Sequence, residues 1–317
     1  MKILITGGAG FIGSSLLMRY AKNNENDIYI IDNLWTGKLE NINEYIENDN
    51  VTFINKDIRD SDIVEFIRNN GFDYIYNFAC PASPKYYLKF PIETWETNVI
   101  GVRNLLNAIK GTKTRLLQAS TSEVYGCATI STQNEEYWGN VNCTGVRACY
   151  DEGKRAAETL IFDYKRIYNV DVRVVRLFNV YGPKMDKEAD GRVICNFINQ
   201  AINNKDITVY GTGEQTRSFC YIDDTLDAII KIMDREETIN TPINIGRPHE
   251  NNILEIAKTI KNITNSNSKI VFCKEMSDDP LRRKPDISKI KELVGWEPKV
   301  EIIEGIKKCI ECYSKNI

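Results

Sequence analysis

The sequence has 317 residues, a net charge of −3, and 42% hydrophobic against 27% charged residues, values typical of a folded globular protein. The small net charge argues against a nucleic-acid-binding protein, and no apolar run reaches the roughly 18 residues of a membrane span. The nine cysteines lack metal-ligand spacing and the only histidine is His249, so we expect no metal site and a reducing, cytoplasmic location.

The first half of the chain alternates short β-branched runs with helical patterns. It begins with a predicted strand, KILIT, so we expect no signal peptide before it. Further strands are predicted in DIYIID, VTFIN, YIYNFA, TRLLQAS and VRVVRLF. Between them, apolar residues recur three and four apart, as in FIGSSLLMRYA and TNVIGVRNLLNAIK. This alternation predicts an α/β fold with a Rossmann-type doubly wound parallel sheet.

A glycine-rich turn follows the first predicted strand. In TGGAGFIG, Gly7 permits the tight turn, Gly10 lets a pyrophosphate approach the backbone, and Gly13 lets the following helix pack closely. Asp32 ends the second strand, where a carboxylate binds ribose hydroxyls and repels a 2′-phosphate, which favours NAD over NADP. The alternative is a glycine-rich turn and an Asp-Asn turn without a ligand. The predicted cofactor contacts also include Phe11, Ile12, Asn33, Asp57 and Ile58. The last two lie in KDIRDSD, a segment that could equally cap a helix.

A hydroxyl-rich strand end and a tyrosine–lysine pair are the candidate catalytic elements. STSEVYG places Thr121, Ser122 and Glu123 side by side, and YDEGK places Tyr150 and Lys154 four residues apart on one helix face. A free tyrosine titrates near about 10, so a basic Tyr150 requires a nearby cation such as the Lys154 ammonium or a nicotinamide ring. Such a phenolate would take a proton from a sugar hydroxyl while hydride leaves the same carbon. The spacing alone is common by chance, and the preceding glycine turn is what favours catalysis.

The regular alternation ends near residue 177. Beyond it the chain is rich in loops, glycine and proline, as in FNVYGPK and NIGRPHENN. We therefore expect a dinucleotide-binding domain at 1–176, to which segments from about 218–248 return. The remaining residues, 177–317, are expected to form a smaller mixed α/β region that binds the substrate.

Several long motifs together resemble the extended short-chain dehydrogenase/reductase family of nucleotide-sugar enzymes. Besides the glycine turn and STSEVYG, they are YDEGKRAAETL, RLFNVYGP, DGRVICNF, TVYGTGEQTRSFCYIDD and DDPLRRKPDISKIKELVGWEP, which cover nearly the whole chain. ACPASP, YWGNVN and CYDEGKR are most similar to the UDP-glucuronate decarboxylase branch of the family. The resemblance implies NAD as cofactor, a UDP-sugar acid as substrate, and a homodimer formed by helices within 91–111 and 149–169.

The resemblance also implies a role for each candidate residue. Tyr150 would be the catalytic base, Lys154 its helper on the nicotinamide ribose, and Glu123 the active-site carboxylate. Thr121 and Ser122 would bind around the sugar O4. The implied substrate contacts are Tyr87, Asn179, Arg192, Tyr210, Arg217 and Arg283, the last of them near the substrate carboxylate. Composition alone would make DDPLRRKPD a solvated charged loop.

Ser122 bears on which reaction of the family is expected. In the 4,6-dehydratase branch an Asp at this position protonates the leaving hydroxyl, whereas a serine hydroxyl is too weak an acid for that step. A 4-keto uronic acid needs no such acid to lose CO2, so Ser122 favours decarboxylation. The alternatives are a decarboxylase of UDP-N-acetylglucosaminuronate, a 4-epimerase, a 4,6-dehydratase and a non-catalytic NAD-binding scaffold. One departure from the family is Asn77, where relatives usually carry His.

Overall fold

The structure, a computed structural model, describes residues 1–185, 192–274 and 282–315. Its centre is a seven-stranded sheet in which every neighbouring pair is parallel. In their order across the sheet, the strands are β11 (Ile243–Ile245), β6 (Asp171–Leu177), β5 (Arg115–Thr121), β4 (Tyr74–Asn77), β1 (Lys2–Thr6), β2 (Asp27–Asp32) and β3 (Val51–Asn55). This order confirms the predicted Rossmann-type doubly wound sheet, because it grows outwards from β1 in both directions.

Helices cover both faces of this sheet. In chain order they are α1 (Phe11–Tyr20), α2 (Asn43–Ile46), α3 (Ile63–Asn70), α4 (Pro84–Tyr87), α5 (Pro91–Glu96), α6 (Val102–Ile109), α7 (Ala148–Tyr168), α8 (Val193–Ile202), α9 (Ile222–Asp234), α10 (Ile253–Ile263), α11 (Ser288–Val294) and α12 (Ile302–Ser314). Within the described ranges, none of them combines the length and the apolar character that a membrane span needs.

The alternation of side chains along the strands divides the core into two layers. In β1, Ile3 and Ile5 belong to one buried cluster, whereas Leu4 belongs to the other. Successive strand residues point to opposite faces, so apolar residues at every position bury both faces of the sheet. This continuous apolar pattern is what a parallel sheet covered by helices on both sides requires.

One predicted helix differs from a regular α-helix. The pattern TNVIGVRNLLNAIK begins with a π-helical stretch, Thr97–Gly101, and only Val102–Ile109 is α-helical. In this stretch the amide of Asn98 donates to the carbonyl oxygen of Thr94 and to the Cys80 sulfur. Apolar spacing does not distinguish a single wide turn from an α-helical turn, and such turns are frequent near functional sites.

The C-terminal part of the chain contributes small sheets beside the main one. Its strands are β7 (Val180–Tyr181), β8 (Ile207–Tyr210), β9 (Thr216–Ser218), β10 (Cys220–Tyr221), β12 (Glu250–Asn252), β13 (Ile270–Cys273) and β14 (Arg282–Arg283). In the three-stranded sheet β12-β9-β14, Arg283 pairs with Arg217. The segment between them also returns to the main sheet, where β11 pairs with β6.

Candidate active site

A large cavity lies where β1, β4 and β5 end. Its volume is about 1140 Å³, and a smaller cavity of about 80 Å³ adjoins it at Gly7, Gly10, Phe78 and Cys80. In open parallel sheets, ligands bind at this edge where the strand order reverses, here between β1 and β4. The predicted site residues that line the large cavity are Gly7, Gly10, Phe11, Ile12, Gly13, Tyr87, Thr121, Ser122, Glu123, Tyr150, Lys154, Asn179, Arg192, Tyr210, Arg217 and Arg283. Those that line the smaller cavity are Gly7, Gly10, Asp32, Asn33, Asp57 and Ile58.

The glycine turn between β1 and α1 is too closely packed for side chains. A Cβ atom at Gly7 would lie 2.6 Å from the backbone nitrogen of Ala79, and one at Gly13 would lie 2.3 Å from the carbonyl oxygen of Gly7. A Cβ atom at Gly10 would lie 3.2 Å from its nearest neighbour, the Gly7 carbonyl oxygen. Gly10, just before α1, also lines the large cavity. Amides at a helix N-terminus bind phosphate groups, and the turn therefore fits a pyrophosphate.

Asp32 provides a carboxylate at the end of β2. Its oxygens accept hydrogen bonds from the backbone amides of Ala9 (3.0 Å) and Leu34 (2.8 Å). Burial raises the pKa of Asp32 above its ordinary value in spite of these two bonds. The carboxylate is fixed beside the glycine turn and lines the smaller cavity, which is the place for a ribose diol.

The remaining predicted cofactor residues surround the same small cavity. The Asn33 amide donates to Asp57 (2.8 Å), whose carboxylate also forms an ion pair with Arg59. Ile58 is buried in the core on one side of the sheet. The helix-cap alternative for KDIRDSD does not apply to Asp57, because α3 begins only at Ile63. Asp57 and Ile58 thus form part of the wall of the smaller cavity.

Tyr150 and Lys154 lie one turn apart near the start of α7, and both are buried. The Lys154 ammonium donates to the carbonyl oxygen of Ala119 (2.9 Å) and lies 5.9 Å from the centre of the Tyr150 ring. The Tyr150 phenol is hydrogen-bonded to the Thr121 side chain. Its ring stacks on Tyr87, with 5.1 Å between ring centres and 9° between planes. These contacts fix the phenol in the cavity.

The surroundings of Tyr150 favour the neutral phenol. Burial raises the pKa of Tyr150 and the nearby Cys80 raises it further, whereas Thr121 and Arg192 lower it. Burial is the largest of these influences, and the Lys154 ammonium donates to a backbone carbonyl. That a basic Tyr150 requires a cation such as Lys154 or a nicotinamide ring stays a prediction.

Glu123 lies between two guanidinium groups. Its Oε2 atom accepts hydrogen bonds from Arg147 Nη2 (2.7 Å) and from Arg283 Nη2 (3.0 Å). Burial acts to raise the pKa of Glu123, but Arg283 and Arg147 outweigh it and lower the pKa to about 2. Glu123 is therefore ionised at every physiological pH, and as an acceptor it orders the arginines around it.

The hydroxyl residues come directly before Glu123. β5 ends at Thr121, and Ser122–Tyr125 form one 3₁₀ turn at the bottom of the cavity. The Thr121 hydroxyl accepts a hydrogen bond from the Glu123 amide (3.2 Å) and so closes this turn. Ser122 is 2% exposed and lines the cavity beside it. The triplet therefore presents two hydroxyls and one carboxylate to the same space.

The C-terminal region supplies most of the positive charge of the cavity. The arginines that line it are Arg147, Arg192, Arg217 and Arg283. Arg192 donates to the carbonyl oxygen of Ala82 (3.0 Å), and Arg217 lies on β9 beside Arg283. Asn179 and Tyr210 line the same part of the cavity. Such an arrangement of guanidinium groups suits a diphosphate with a further anionic group.

Comparison with known proteins places this geometry in a family. The family described as GDP-mannose 4,6 dehydratase matches residues 4–309. UDP-glucuronic acid decarboxylase 3 of Arabidopsis thaliana is 48% identical over 306 residues, which cover 96% of this chain and 87% of that protein. The chain belongs to the NAD-dependent epimerase/dehydratase family. This confirms the resemblance to the extended short-chain dehydrogenases/reductases.

Further members of the epimerase/dehydratase family are similar over the whole chain. UDP-glucuronic acid decarboxylase 1 of Xenopus tropicalis is 45% identical over 316 residues, which cover 100% of this chain and 73% of that protein. The structure of the Bacillus cereus UDP-glucuronic acid 4-epimerase in complex with UDP-glucuronic acid and NAD superimposes with a TM-score of 0.90. It shares 28% identity, and the match covers 100% of both chains.

Asn77, the departure from the family pattern, belongs to a hydrogen-bond network within the sheet. It accepts from the Thr6 hydroxyl (2.6 Å) and donates to the Gln118 side chain (2.7 Å), which links the ends of β1, β4 and β5. Asn77 is buried and does not line either cavity. The difference from other epimerases and dehydratases thus lies beneath the site.

Three residues of the site were missed in the sequence. Arg147 stands three positions before Tyr150, and this helical spacing was the available signal for a second cation. Burial and the charge of Glu123 raise the pKa of Asp151 to about 7, and no motif indicates this. The Cys80 sulfur accepts a hydrogen bond from Asn98 (3.1 Å), and Cys80 lines both cavities. These contacts form only on folding, so the sequence gives no signal for them.

Proposed function

We propose that the protein is an NAD-dependent decarboxylase that converts UDP-glucuronate to UDP-xylose. The observation that carries the proposal is the position of Arg283, a buried guanidinium that lines the same cavity as Tyr150 and lies 3.0 Å from Glu123. A guanidinium there suits the carboxylate of a sugar acid. The relatives named as UDP-glucuronic acid decarboxylases, at 48% and 45% identity, support this choice of substrate.

The cavity residues fit NAD as the cofactor. The glycine turn at Gly7–Gly13 would hold the pyrophosphate, Asp32 the adenosine ribose and Lys154 the nicotinamide ribose. When bound, NAD supplies a reversible hydride acceptor beside the sugar and a positive charge that favours the Tyr150 phenolate. The complex of the Bacillus cereus epimerase with UDP-glucuronic acid and NAD supports this choice of cofactor.

Tyr150 would act as the base of the reaction. Its phenolate, which the positive charge of bound NAD would favour, would take the proton of the sugar O4, with the hydroxyls of Thr121 and Ser122 bound near the same oxygen. Oxidation at C4 makes the sugar a β-keto acid, whose C6 carboxylate leaves as CO2 while its electrons form an enolate. The protonated Tyr150 and the two hydroxyls would stabilise the enolate oxygen. Arg283 would hold the carboxylate until it leaves. The enolate would then take up a proton at C5, and return of the hydride to C4 would give UDP-xylose and restore NAD.

Ser122 supports loss of CO2 over loss of water. A serine hydroxyl is too weak an acid to protonate a departing C6 hydroxyl. Ser122 is buried, and its position in the triplet carries no carboxylate. Glu123 cannot replace such an acid, because its pKa of about 2 keeps it without a proton. A 4-epimerase is the other candidate, and the Bacillus cereus relative named UDP-glucuronic acid 4-epimerase supports it. Only a 4-epimerase of a neutral sugar would require no arginine for a carboxylate.

A product analysis tests the proposal. The protein is incubated with UDP-glucuronate and NAD, and the products are measured by mass spectrometry together with the CO2 evolved. We expect one CO2 and one UDP-pentose for each substrate consumed, and no product from the matched neutral substrate, UDP-glucose. An unchanged carbon count with an inverted C4 would identify a 4-epimerase, and UDP-N-acetylglucosaminuronate serves as the second acid to be compared.

We further propose a homodimer, a cytoplasmic location and two domains for this enzyme. The family resemblance supports a dimer formed by helices within 91–111 and 149–169. The nine cysteines are free thiols, which is consistent with a reducing compartment. The dinucleotide domain would comprise 1–176 with returning segments from about 218–248, and 177–317 would form the nucleotide-sugar region; the pairing of β11 with β6 supports the return.

A further inference from the structure

The carboxylate of Glu123 is shared by two arginines from distant parts of the chain. Arg147 precedes α7 and Arg283 lies in β14, yet both donate to the same oxygen, Oε2, at 2.7 and 3.0 Å. The three side chains are largely buried, with 17% exposure for Arg147, 19% for Glu123 and 2% for Arg283. Two guanidinium groups therefore share one carboxylate oxygen in a space with little water, so Arg283 could turn to a second anion while Arg147 still pairs with Glu123.

Glu123 does not occupy all the hydrogen-bond donors of Arg283. Its Nη1 donates to the carbonyl oxygen of Gly126, and its buried Nε has no hydrogen-bond acceptor in the described part of the chain. A guanidinium offers five N–H donors, and a buried donor without an acceptor is unfavourable. Arg283 is therefore the guanidinium with unused donors at the place where the proposed function requires a carboxylate.

The position of Arg147 is unusual for an arginine. It is the N-cap residue of α7, where the helix dipole is positive and a cation is unfavourable. Its side chain forms no hydrogen bond that caps this helix and is directed to Glu123 instead. The nearest carboxylate on its own helix, Asp151, lies 4.0 Å away, beyond hydrogen-bond distance. Glu123 is therefore the partner that accounts for a cation here.

We propose that Arg147 is a positioning residue that keeps Glu123 ionised and in place while Arg283 exchanges Glu123 for the carboxylate of the substrate. This inference rests on the proposed function, since it requires a sugar acid. After the exchange each carboxylate has its own guanidinium, so two cations balance two anions. In a variant without Arg147, the move of Arg283 to the substrate would leave the Glu123 carboxylate buried without a cation. Binding of the sugar acid would then be unfavourable.

Ligand pairs that differ only in the carboxylate test this inference. The affinities of the NAD-loaded protein for UDP-glucuronate and for UDP-xylose, which lacks the carboxylate, are measured by calorimetry for Arg147→Met, Arg147→Gln and Arg147→Lys. We expect the two neutral variants to lose about tenfold or more in affinity for UDP-glucuronate. Their affinity for UDP-xylose should stay within about twofold, and Arg147→Lys should restore most of the loss. Arg166→Met, an exposed position on the same helix, is the control.

The pH dependence separates this role from a structural one. The charged and titratable groups that act on Glu123 or on which it acts are Arg283, Arg147, Arg217, Asp151, Tyr87 and Tyr150. Loss of one adjacent cation raises a carboxyl pKa by about 1–3 units, so Glu123 takes up a proton more readily in the neutral variants. Protonated Glu123 releases Arg283, so the loss of UDP-glucuronate affinity should shrink as the pH falls from about 6 to about 4, towards the raised pKa of Glu123.

The outcomes distinguish the inference from the function on which it rests. Equal losses for both ligands, or no loss for either, overturn the role of Arg147, and thermal unfolding of each variant shows whether its fold is retained. If one neutral variant does not fold, the ligand affinities of the other neutral variant and of Arg147→Lys test the role of Arg147. If the unaltered protein neither binds nor converts UDP-glucuronate, the proposed function itself is wrong.

Discussion

Tyr150 is held by a stacked ring on one face and by the Thr121 side chain at its hydroxyl. We expect Tyr150→Phe to lower turnover by about 10²–10⁴-fold, because it removes the proton acceptor while the ring still stacks on Tyr87. Affinity for NAD should be unchanged, since the glycine turn is untouched. Steady-state rates and NAD titration measure the two effects. Tyr168→Phe on the same helix is the control, and full activity of Tyr150→Phe would refute the base assignment.

Asp151 gives the protein a pH-dependent stability. Burial and Glu123 raise its pKa to about 7 in the folded chain, whereas a free Asp titrates near about 3.9. Stability from the protonated form is therefore present below about pH 4 and is lost as the pH rises towards 7. In Asp151→Asn the side chain stays neutral at every pH. The melting temperature of this variant minus that of the unaltered protein should therefore rise from pH 4 to pH 8.

Thermal unfolding at these two pH values checks the Asp151 prediction. Asp163→Asn, which removes an exposed carboxylate from the same helix, serves as the control. A difference for Asp151→Asn that does not change with pH would contradict the prediction, because it would mean that Asp151 binds protons equally in the folded and unfolded chains.

At the residue scale, the sequence indicates the chemical groups but not their electrostatic state. STSEVYG and YDEGK indicated Thr121, Glu123 and Tyr150 because their types and spacing carry the chemistry. The low pKa of Glu123 depends on Arg283, which is distant in sequence and meets it only after folding. The raised pKa of the Tyr150 phenol was not predictable for the same reason, since burial is a property of the assembled cavity.

The turn from β1 into α1 is the element on which cofactor binding depends. A Cβ at Gly13 would lie 2.3 Å from the Gly7 carbonyl oxygen and 2.7 Å from the Gly8 Cα. We expect Gly13→Ala to cost about 1–3 kcal/mol of stability through overpacking and to weaken NAD binding, because the turn must open. Calorimetric titration with NAD and thermal unfolding measure these effects.

A second glycine provides the control for Gly13→Ala. Gly71 ends α3 with φ of +63°, and a Cβ there would meet no atom within 4 Å. Gly71→Ala should therefore lose roughly 1 kcal/mol from backbone strain alone and leave NAD affinity unchanged. If Gly13→Ala bound NAD as tightly as Gly71→Ala, close packing of the turn would not be what shapes the cofactor site.

Six of the seven strands of the main sheet were predicted from short runs of apolar and β-branched residues, whereas the three-residue β11 was not. KILIT, DIYIID and VTFIN coincide with β1, β2 and β3. The π-helical stretch at Thr97–Gly101 was not predictable, since apolar spacing does not distinguish one wide turn from an α-helical turn. The short strand β14 was equally hidden, because two residues carry no periodic pattern.

The whole molecule presents apolar side chains on the helices expected at the dimer interface. Ile92 and Trp95 on α5 are exposed, as is Ile167 on α7. Because a buried glutamate at such an interface would be unpaired, we expect Trp95→Glu to sediment as a monomer at concentrations where the unaltered protein is a dimer. Sedimentation velocity measures this, and Trp138→Glu, 88% exposed and outside these helices, should leave the dimer intact. A dimer in both variants would contradict the expected interface.

At the scale of the molecule, the pattern of alternating strands and helices was sufficient for the doubly wound sheet, because parallel strands buried on both faces leave few topologies. The C-terminal region was less predictable. Its small sheets pair strands from distant segments, such as β13 with β8, and such long-range pairing has no local signal.

The parallel pairing of β14 with β9 sets Arg283 opposite Arg217. Successive residues of a strand face opposite ways, so a slip of one position would turn the Arg283 side chain away from Glu123. Backbone hydrogen bonds hold this alignment, and the fully buried Gln133 adds to them by accepting from the amide of Lys284 (2.8 Å). Binding of the acidic sugar that we propose would therefore depend on this strand alignment, and an insertion beside Lys284 should abolish it although every arginine of the cavity remains in the sequence.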